Sequence, residues 1–186
     1  MEERFEQFLT ELTGAIVKEY GPSIYSLVVY GSFATGKAKQ GSDLDMLLHL
    51  KQGIPKARVS AINDLLFAIE KKYGLEVAWT LRVPMLRHIH PPIIIFAYND
   101  IDWRNLAFHN ANLFWTIALS CASKNLFFQN IQASGKVLFG ANVLQRIQVV
   151  VSFYDHLMAW LTYPLYRIGK STTRMLYQKI IRKEDA

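Results

Sequence analysis

The strongest constraint on the fold is a loop containing glycine and serine that joins two short apolar segments. Residues 24–30 are β-branched, aromatic and apolar, so Gly31 and Ser32 fall where a buried strand is predicted to end. Glycine allows the backbone to approach an anion closely, and the serine hydroxyl can donate or accept a hydrogen bond. This turn therefore suits the oxygens of a polyphosphate.

Two aspartates stand where the second apolar segment begins. Asp43 and Asp45 alternate with a leucine, so a period of two places both carboxylates on one face of a predicted strand. A rise of roughly 3.3 Å per residue separates their Cα atoms by roughly 6 to 7 Å, which lets the carboxylates converge on two Mg²⁺ ions. One strand can therefore hold a two-metal centre. The apolar residues that predict this strand are Leu44, Met46, Leu47, Leu48 and Leu50.

The alternative interpretation is that these residues only form turns. Asp near Gly is common in turns, and a lone Gly-Ser or a lone Asp-x-Asp is more often loop chemistry than catalysis. Here the strand, the Gly-Ser pair, a gap that contains Gly36 and Gly41, and Ser42 before the two aspartates occur together. Aspartates that lead into an apolar strand are costly unless something pairs with them, and a metal ion is a suitable partner. The combination favours a metal-dependent nucleotide site.

The segment from Gly31 to Asp45 resembles the signature of the DNA polymerase beta-like nucleotidyltransferase superfamily, which is Gly-Ser, about ten residues and Asp-x-Asp. The spacing from Phe33 to Ser42 is similar to that of the minimal nucleotidyltransferases. That group includes aminoglycoside nucleotidyltransferases and the antitoxins that pair with HEPN-type toxins. The resemblance implies an α+β nucleotidyltransferase fold, in which helices flank a mixed β-sheet and the C-terminal part is mostly helical.

The resemblance also implies a reaction. A nucleoside monophosphate would pass from a nucleoside triphosphate to a hydroxyl acceptor, with release of pyrophosphate. The family resemblance implies that this nucleotide is AMP. Gly31 and Ser32 would bind the β and γ phosphates together with Ser42, and Asp43 and Asp45 would coordinate two Mg²⁺ ions. The acceptor stays open among a small molecule, a protein and RNA. A second hypothesis is an antitoxin that binds and neutralises a partner toxin with little or no catalysis.

The family implies a third carboxylate on a neighbouring strand. Leu75–Leu81 follows Gly74 and is predicted to form a strand, with Glu76 near its start. Glu76 would then complete the metal site or take the proton of the attacking hydroxyl. The alternative is that Glu76 is a solvated acid at the end of a strand. Asp100 and Asp102 are weaker candidates, because they follow an apolar run in a predicted turn.

Periodicity predicts alternating helices and strands in the first hundred residues. Phe5, Phe8, Leu9, Leu12 and Ile16 recur at helical spacing, and Gly21-Pro22 then ends the predicted helix. A second helix is predicted to end at about residue 73, and a buried strand is predicted over 93–96. We therefore predict a catalytic core over residues 1–100.

The second half is predicted to be mainly helical. Long apolar stretches favour helices over 106–127 and over 143–163, where Pro164 follows. Lys136–Gly140 is a candidate extra strand of the catalytic sheet, so the boundary near residue 100 is soft. The remaining region, residues 101–186, is predicted to be a mostly helical C-terminal unit.

Composition narrows the classes of partner and compartment. The chain is 51% hydrophobic and 19% charged, which favours a homo-oligomer or a heterocomplex that covers apolar surface. A net charge of +6 suits an anionic substrate, either a nucleoside triphosphate or nucleic acid. A single cysteine, Cys121, excludes an internal disulfide framework and favours the cytoplasm. The apolar runs are too short to span a bilayer, so we do not expect this chain to be a membrane protein.

Two features near the C-terminal half have open roles. The last segment is predicted to be a basic amphipathic helix whose charged face could meet an acidic partner, RNA or only water. Arg104 and His109 match the Arg-x4-His pattern of HEPN ribonucleases, a spacing that also arises easily by chance. A metal-independent ribonuclease is therefore a third and weaker hypothesis. The basic residues of the last segment are Arg167, Lys170, Arg174, Lys179, Arg182 and Lys183.

Overall fold

The computed structural model describes residues 2–53, 55–83, 91–103, 106–121 and 123–184. Its helices are α1 (Glu2–Tyr20), α2 (Gly31–Ala34), α3 (Lys56–Lys72), α4 (Ala111–Cys121), α5 (Lys124–Ser134) and α6 (Phe153–Glu184). Its strands are β1 (Ile24–Val29), β2 (Met46–Leu50), β3 (Ile93–Ala97), β4 (Ile101–Asp102), β5 (Ala107–Phe108) and β6 (Lys136–Gly140). Short 3-10 turns lie at Gly21–Ser23, Trp79–Arg82, Tyr98–Asp100 and Val143–Arg146.

A mixed four-stranded sheet in the order β3-β2-β1-β6 organises the molecule. β1 pairs antiparallel with both β2 and β6, whereas β3 runs parallel to β2. β4 and β5 form a separate antiparallel pair. This mixed sheet with flanking helices confirms the predicted α+β class. β6 confirms the extra strand and shows that the second half of the chain contributes to the sheet, while the division at residue 100 stays a prediction.

The sheet is covered on both faces, because side chains alternate along β1. Leu27 and Val29 pack with α1 in one buried cluster, whereas Val28 points into a second cluster beside α5. α1 contributes Phe8, Leu12 and Ile16, all fully buried and spaced as the sequence predicted. A sheet buried on both faces requires strands that are apolar throughout, as β1 and β2 are.

Two predicted elements are wrong in detail. β2 begins at Met46, so Asp43 and Asp45 precede the strand. Leu75–Leu81 is no strand: Gly74 has a positive φ of 55°, and a 3-10 turn begins at Trp79. Residues 77 and 78 form a turn, and the Leu81 amide donates to the Ala78 carbonyl at 3.0 Å, so the backbone there is coiled and not extended.

Helical boundaries in the second half also differ from the prediction. The stretch 106–127 contains parts of two helices, because Ser123 adopts an extended backbone and caps α5 by accepting a hydrogen bond from the Leu126 amide. The stretch 143–163 holds only a short 3-10 turn before α6 begins at Phe153. Pro164 lies inside α6 and does not end it. Among the described residues, no helix is long and apolar enough to cross a membrane.

Candidate functional site

The Gly31-Ser32 turn lies where β1 gives way to α2. Gly31 has a positive φ of 68°, a conformation that favours glycine. A Cβ atom at this position would lie 2.6 Å from Oδ2 of Asp45. Glycine is therefore needed for two reasons, the backbone conformation and the close approach of a carboxylate. The structure brings the predicted turn and the second predicted aspartate into direct proximity.

The two aspartates occupy an extended segment that leads into β2. The Tyr30 amide donates to the Asp45 carbonyl at 3.0 Å, and the Leu44 amide donates to the Val77 carbonyl at 3.2 Å. Leu44 is fully buried, so its two acidic neighbours point away from the core. The alternation predicted from the sequence therefore holds, although the strand itself starts at Met46, after both aspartates.

Burial makes the Asp45 carboxyl hard to ionise. Its pKa is raised to about 7, mainly by burial and also by the neighbouring charge of Asp43, while Lys170 acts in the opposite direction. Only Leu44 separates the two aspartates in this extended segment, so both carboxylates lie on the same side of it. The site thus concentrates two carboxylates in a partly dry environment, with a lysine nearby.

Helix α6 supplies basic side chains to this site. Lys170 Nζ lies 2.5 Å from Asp43 Oδ2. One turn further along, Arg174 donates to the Gly41 carbonyl and its guanidinium lies 5.4 Å from the centre of the Trp79 ring. Trp79 Nε1 in turn donates to Asp43 Oδ1 at 2.5 Å. α6 and the Trp79 turn therefore hold the Asp43 carboxylate from two sides.

Sequence reasoning missed Lys170, Arg174 and Trp79 as members of the site. Lys170 and Arg174 belong to the predicted basic helix, and nothing local in the sequence shows that they contact Asp43 and Gly41, which lie more than a hundred positions earlier in the chain. One signal was available. Lys170, Arg174 and Tyr177 lie on one face of a helix, at i, i+4 and i+7. That spacing marks a basic and aromatic stripe suited to contact an acidic site.

Ser42 has a structural contact in addition to its predicted nucleotide role. Its hydroxyl accepts a hydrogen bond from the Lys39 amide at 3.0 Å, and its own amide donates to the Lys39 carbonyl at 2.8 Å. These bonds close a turn immediately before Asp43. Ser42 therefore shapes the loop, and its contact with a nucleotide stays a prediction.

Glu76 is not gathered into one cluster with the two aspartates. Its side chain is exposed on the irregular segment that follows Gly74. The described ranges contain no group of three or more His, Cys, Asp or Glu side chains that could hold a metal ion. Burial raises the pKa of Tyr177, with a smaller contribution from the charge of Glu76, and the Tyr177 ring lies 6.1 Å from that of Trp79. Glu76 therefore lies at the margin of the site, and its catalytic role stays a prediction.

The weaker acidic candidates lie elsewhere. Asp100 and Asp102 follow the C-terminal end of β3, which is in register with the far end of β2. Asp100 Oδ2 accepts from the Ala97 amide at 2.7 Å and closes a short turn. Neither residue faces the Asp45 end of the sheet. Of the Arg-x4-His pair, Arg104 lies outside the described residues, and His109 is exposed beside Asp102.

Comparison with known proteins assigns the first half of the chain to a domain family. Residues 12–102 match the model described as "Nucleotidyltransferase domain". A curated relative from Methanocaldococcus jannaschii, named "Putative protein adenylyltransferase MJ1305", is 26% identical over 117 residues, which are 56% of this chain and 79% of the relative.

Two crystal structures of toxin–antitoxin proteins are similar along most of the chain. One, a mutant of MntA-HpeT, is 12% identical and covers 95% of this chain and 97% of its own, with a TM-score of 0.35. The other, a toxin–antitoxin with AMP-PNP, is 12% identical and covers 95% and 98%, with a TM-score of 0.31.

Proposed function

We propose that this chain, which belongs to the nucleotidyltransferase superfamily, transfers a nucleoside monophosphate from a nucleoside triphosphate to a hydroxyl acceptor and releases pyrophosphate. One observation carries the proposal: Asp45 Oδ2 lies so close to Gly31 that no side chain fits between them. The phosphate-binding turn and the paired carboxylates therefore form one site. Such proximity is what a metal-bound triphosphate requires.

The acidic pair fits a divalent cation such as Mg²⁺. Two carboxylates lie together, and burial raises the Asp45 pKa to about 7, so a further positive charge would stabilise the ionised pair. Mg²⁺ is usually held by one or two carboxylates together with substrate phosphates, a set that Asp43 and Asp45 can complete. When bound, such an ion supplies charge neutralisation at the transferred phosphoryl group.

The remaining roles, binding of the terminal phosphates and stabilisation of negative charge, belong to the chain's own residues. The Gly31 turn presents backbone amides and the Ser32 hydroxyl to the terminal phosphates. Lys170 and Arg174 bring positive charge to the same end of the sheet, where it favours binding of a polyanion and stabilises negative charge that develops on the leaving pyrophosphate. The transferred phosphorus forms a bond to the acceptor oxygen as its bond to the pyrophosphate oxygen breaks, and the proton of the acceptor hydroxyl passes to water or to a base, for which Glu76 is the candidate.

The relative's name supports a choice of donor and acceptor. A protein adenylyltransferase uses ATP and modifies a protein, so we propose ATP as the donor and a protein hydroxyl as the first acceptor to test. Small molecules and RNA ends remain further acceptors for the same assay.

The test measures transfer of label from α-labelled ATP in the presence of Mg²⁺ to a panel of proteins, RNA and small molecules. Asp45→Asn should reduce transfer at least a hundredfold, because it removes one charge of the pair. Asp64→Asn, the same change at an exposed position of α3, is the matched control and should leave the rate unchanged. Transfer at the wild-type rate by a folded Asp45→Asn protein would refute the proposal.

Glu76→Gln tests the third acid in the same assay. Because Glu76 is exposed and outside a metal-holding cluster, we expect a loss of less than tenfold. A general base typically contributes a factor of about 10² to 10⁴. A hundredfold loss with unchanged ATP binding would therefore restore Glu76 as the base that takes the hydroxyl proton.

A second candidate function is an antitoxin that neutralises a partner protein by binding. The observation that favours it is the row of large apolar side chains left exposed on α6, including Trp160 at 74% and Leu165 at 71% exposure. If neutralisation needs only binding, the Asp45→Asn protein would still neutralise the partner. If neutralisation needs transfer of a nucleotide to the partner, the Asp45→Asn protein would not. Neutralisation by the folded Asp45→Asn protein at wild-type level, without label transfer, would favour the binding function.

A further inference from the structure

A second cleft lies at the other end of the central sheet. It has a volume of about 680 Å³, within the range of small-molecule pockets. The described residues that line it are Tyr98, Asn99, Ile101, Asp102, Trp103, His109, Arg146 and Gln148. These residues come from the turn after β3, from β4 and the residue that follows it, from the residue after β5, and from the segment after β6.

The cleft is distinct from the site at Gly31. Asp45 precedes Met46 at the start of β2, whereas His49 and the cleft residue Tyr98 lie near the end where β2 and β3 finish. The strand between them has five residues, so the two ends are roughly 13 Å apart. A nucleotide held at Gly31 would not occupy this cleft.

Buried polar atoms without partners lie in and behind the cleft wall. Within the described parts of the chain, Trp103 Nε1 and both ring nitrogens of His49 are buried and have no hydrogen-bond partner. His49 is 1% exposed and lies parallel to Tyr98, with ring centres 5.6 Å apart and an interplanar angle of 9°. Its ring centre is 5.4 Å from that of Trp103. Unpaired polar groups of this kind are costly unless a ligand or water meets them.

The imidazole of His49 is neutral under physiological conditions. Burial lowers its pKa to about 4, against a weaker opposing effect of Asp100. A neutral imidazole offers one donor and one acceptor. The cleft therefore adjoins the uncharged polar groups of His49 and Trp103, and its described lining residues include the guanidinium of Arg146 and the carboxyl group of Asp102.

The chemistry of the wall matches a nucleotide. Tyr98 is 41% exposed and offers a flat face on which a base can stack. The side-chain amides of Asn99 and Gln148 can each donate and accept at the edge of a base. Arg146, whose guanidinium lies over the Tyr25 ring at 5.5 Å, is positioned at the same wall and suits a phosphate. We propose that this cleft binds one nucleotide, either free or as part of single-stranded RNA.

Indole NMR resonances of the full-length protein provide the test. AMP and a short single-stranded oligoribonucleotide are titrated separately in EDTA, so that the metal-dependent site at Asp43 and Asp45 does not contribute. The Trp103 indole resonance, assigned by its loss in Trp103→Phe, should shift saturably. A shift with AMP identifies a free nucleotide as sufficient, and a shift only with the oligomer identifies RNA as the source; either outcome supports the proposal.

Matched variants separate binding in the cleft from general attraction of anions. Arg146→Gln and Asn99→Ala, both at exposed positions, should weaken binding tenfold or more. Arg58→Gln removes the same charge from an exposed position of α3 and should have no effect. The proposal is overturned if neither ligand moves the Trp103 resonance at millimolar concentration, or if Arg146→Gln and Arg58→Gln weaken binding equally. Because no metal or acceptor is involved, either result leaves the proposed transferase activity untouched.

Discussion

Two features of the structure require glycine at position 31. Its φ is positive, and a Cβ atom there would lie 2.6 Å from Oδ2 of Asp45. The sequence predicts this glycine as part of a phosphate turn, and it also predicts the alternation of the two aspartates. It does not show that the carboxylate packs directly against the turn, because that contact depends on pairing between β1 and β2. The residue types of the site are therefore predictable from the sequence, whereas the close contact between the glycine turn and Asp45 is not.

Gly31→Ala should destabilise the protein and abolish transfer. A left-handed conformation costs a residue with a side chain about 1 to 2 kcal/mol, and displacement of Asp45 adds to this cost. Gly14→Ala is the control, because Gly14 lies in α1 with open space around it and should gain roughly 0.5 to 1 kcal/mol. Urea unfolding measures both. Equal stability of Gly31→Ala and wild type would contradict the contact.

His49 should make the protein sensitive to acid. Its pKa is about 4 when folded and near 6.5 when unfolded, so its full contribution is present above pH 6.5 and is lost as the pH falls towards 4. We expect the free energy of unfolding to fall by about 2 kcal/mol between pH 7 and pH 4.5 from this group alone. His49→Phe should lessen the fall by that amount in urea unfolding at the two pH values. An identical decrease in both proteins would show that the imidazole titrates normally.

At the scale of elements, the sequence predicts those whose side-chain pattern is local. The periodicity of the side chains, together with the glycine and proline residues between segments, predicts α1, α3, β1, β3 and β6. The strand predicted over 75–81 is wrong because its apolar residues pack into the core from a turn and a 3-10 helix, a backbone conformation that their strand-like pattern does not reveal. Pro164 is accommodated within α6, although it lacks the amide that would bond to the preceding turn. The contact of α6 with the acidic site depends on how distant elements dock, which periodicity does not report.

Lys170→Ala should weaken ATP binding about tenfold, because an ammonium beside Asp43 favours the polyanion and opposes the repulsion between the carboxylates. Lys179→Ala removes the same charge from an exposed position of the same helix and should have little effect. Calorimetric titration with ATP and Mg²⁺ compares the two. Tighter binding by Lys170→Ala would show instead that the lysine competes with the metal ion for Asp43.

At the scale of the whole molecule, the apolar surface is concentrated on one helix. Composition predicts a covered surface but not its place, because the exposed residues of α6 resemble core residues in the sequence. They lie on both sides of Pro164, and most are more than half exposed. Large exposed apolar patches mark interaction surfaces. The residues are Phe153, Tyr154, Leu157, Trp160, Leu161, Tyr163, Leu165, Ile168, Met175 and Leu176.

We therefore expect the purified chain to self-associate. Trp160→Glu should shift sedimentation towards the monomer at concentrations where the wild type is oligomeric. Gln178→Glu introduces the same residue at an exposed polar position of α6 and should leave the assembly unchanged. A wild type that sediments as a monomer across the micromolar to millimolar range would contradict self-association.

The start of α6 is fixed by Asp155, whose carboxylate accepts hydrogen bonds from Ser123, Asn125 and Ser152. More than a dozen residues later the same helix places Lys170 on Asp43. The helix that exposes the apolar side chains therefore also carries the lysine of the acidic site, and contacts at Asp155 and at Asp43 hold it at two points.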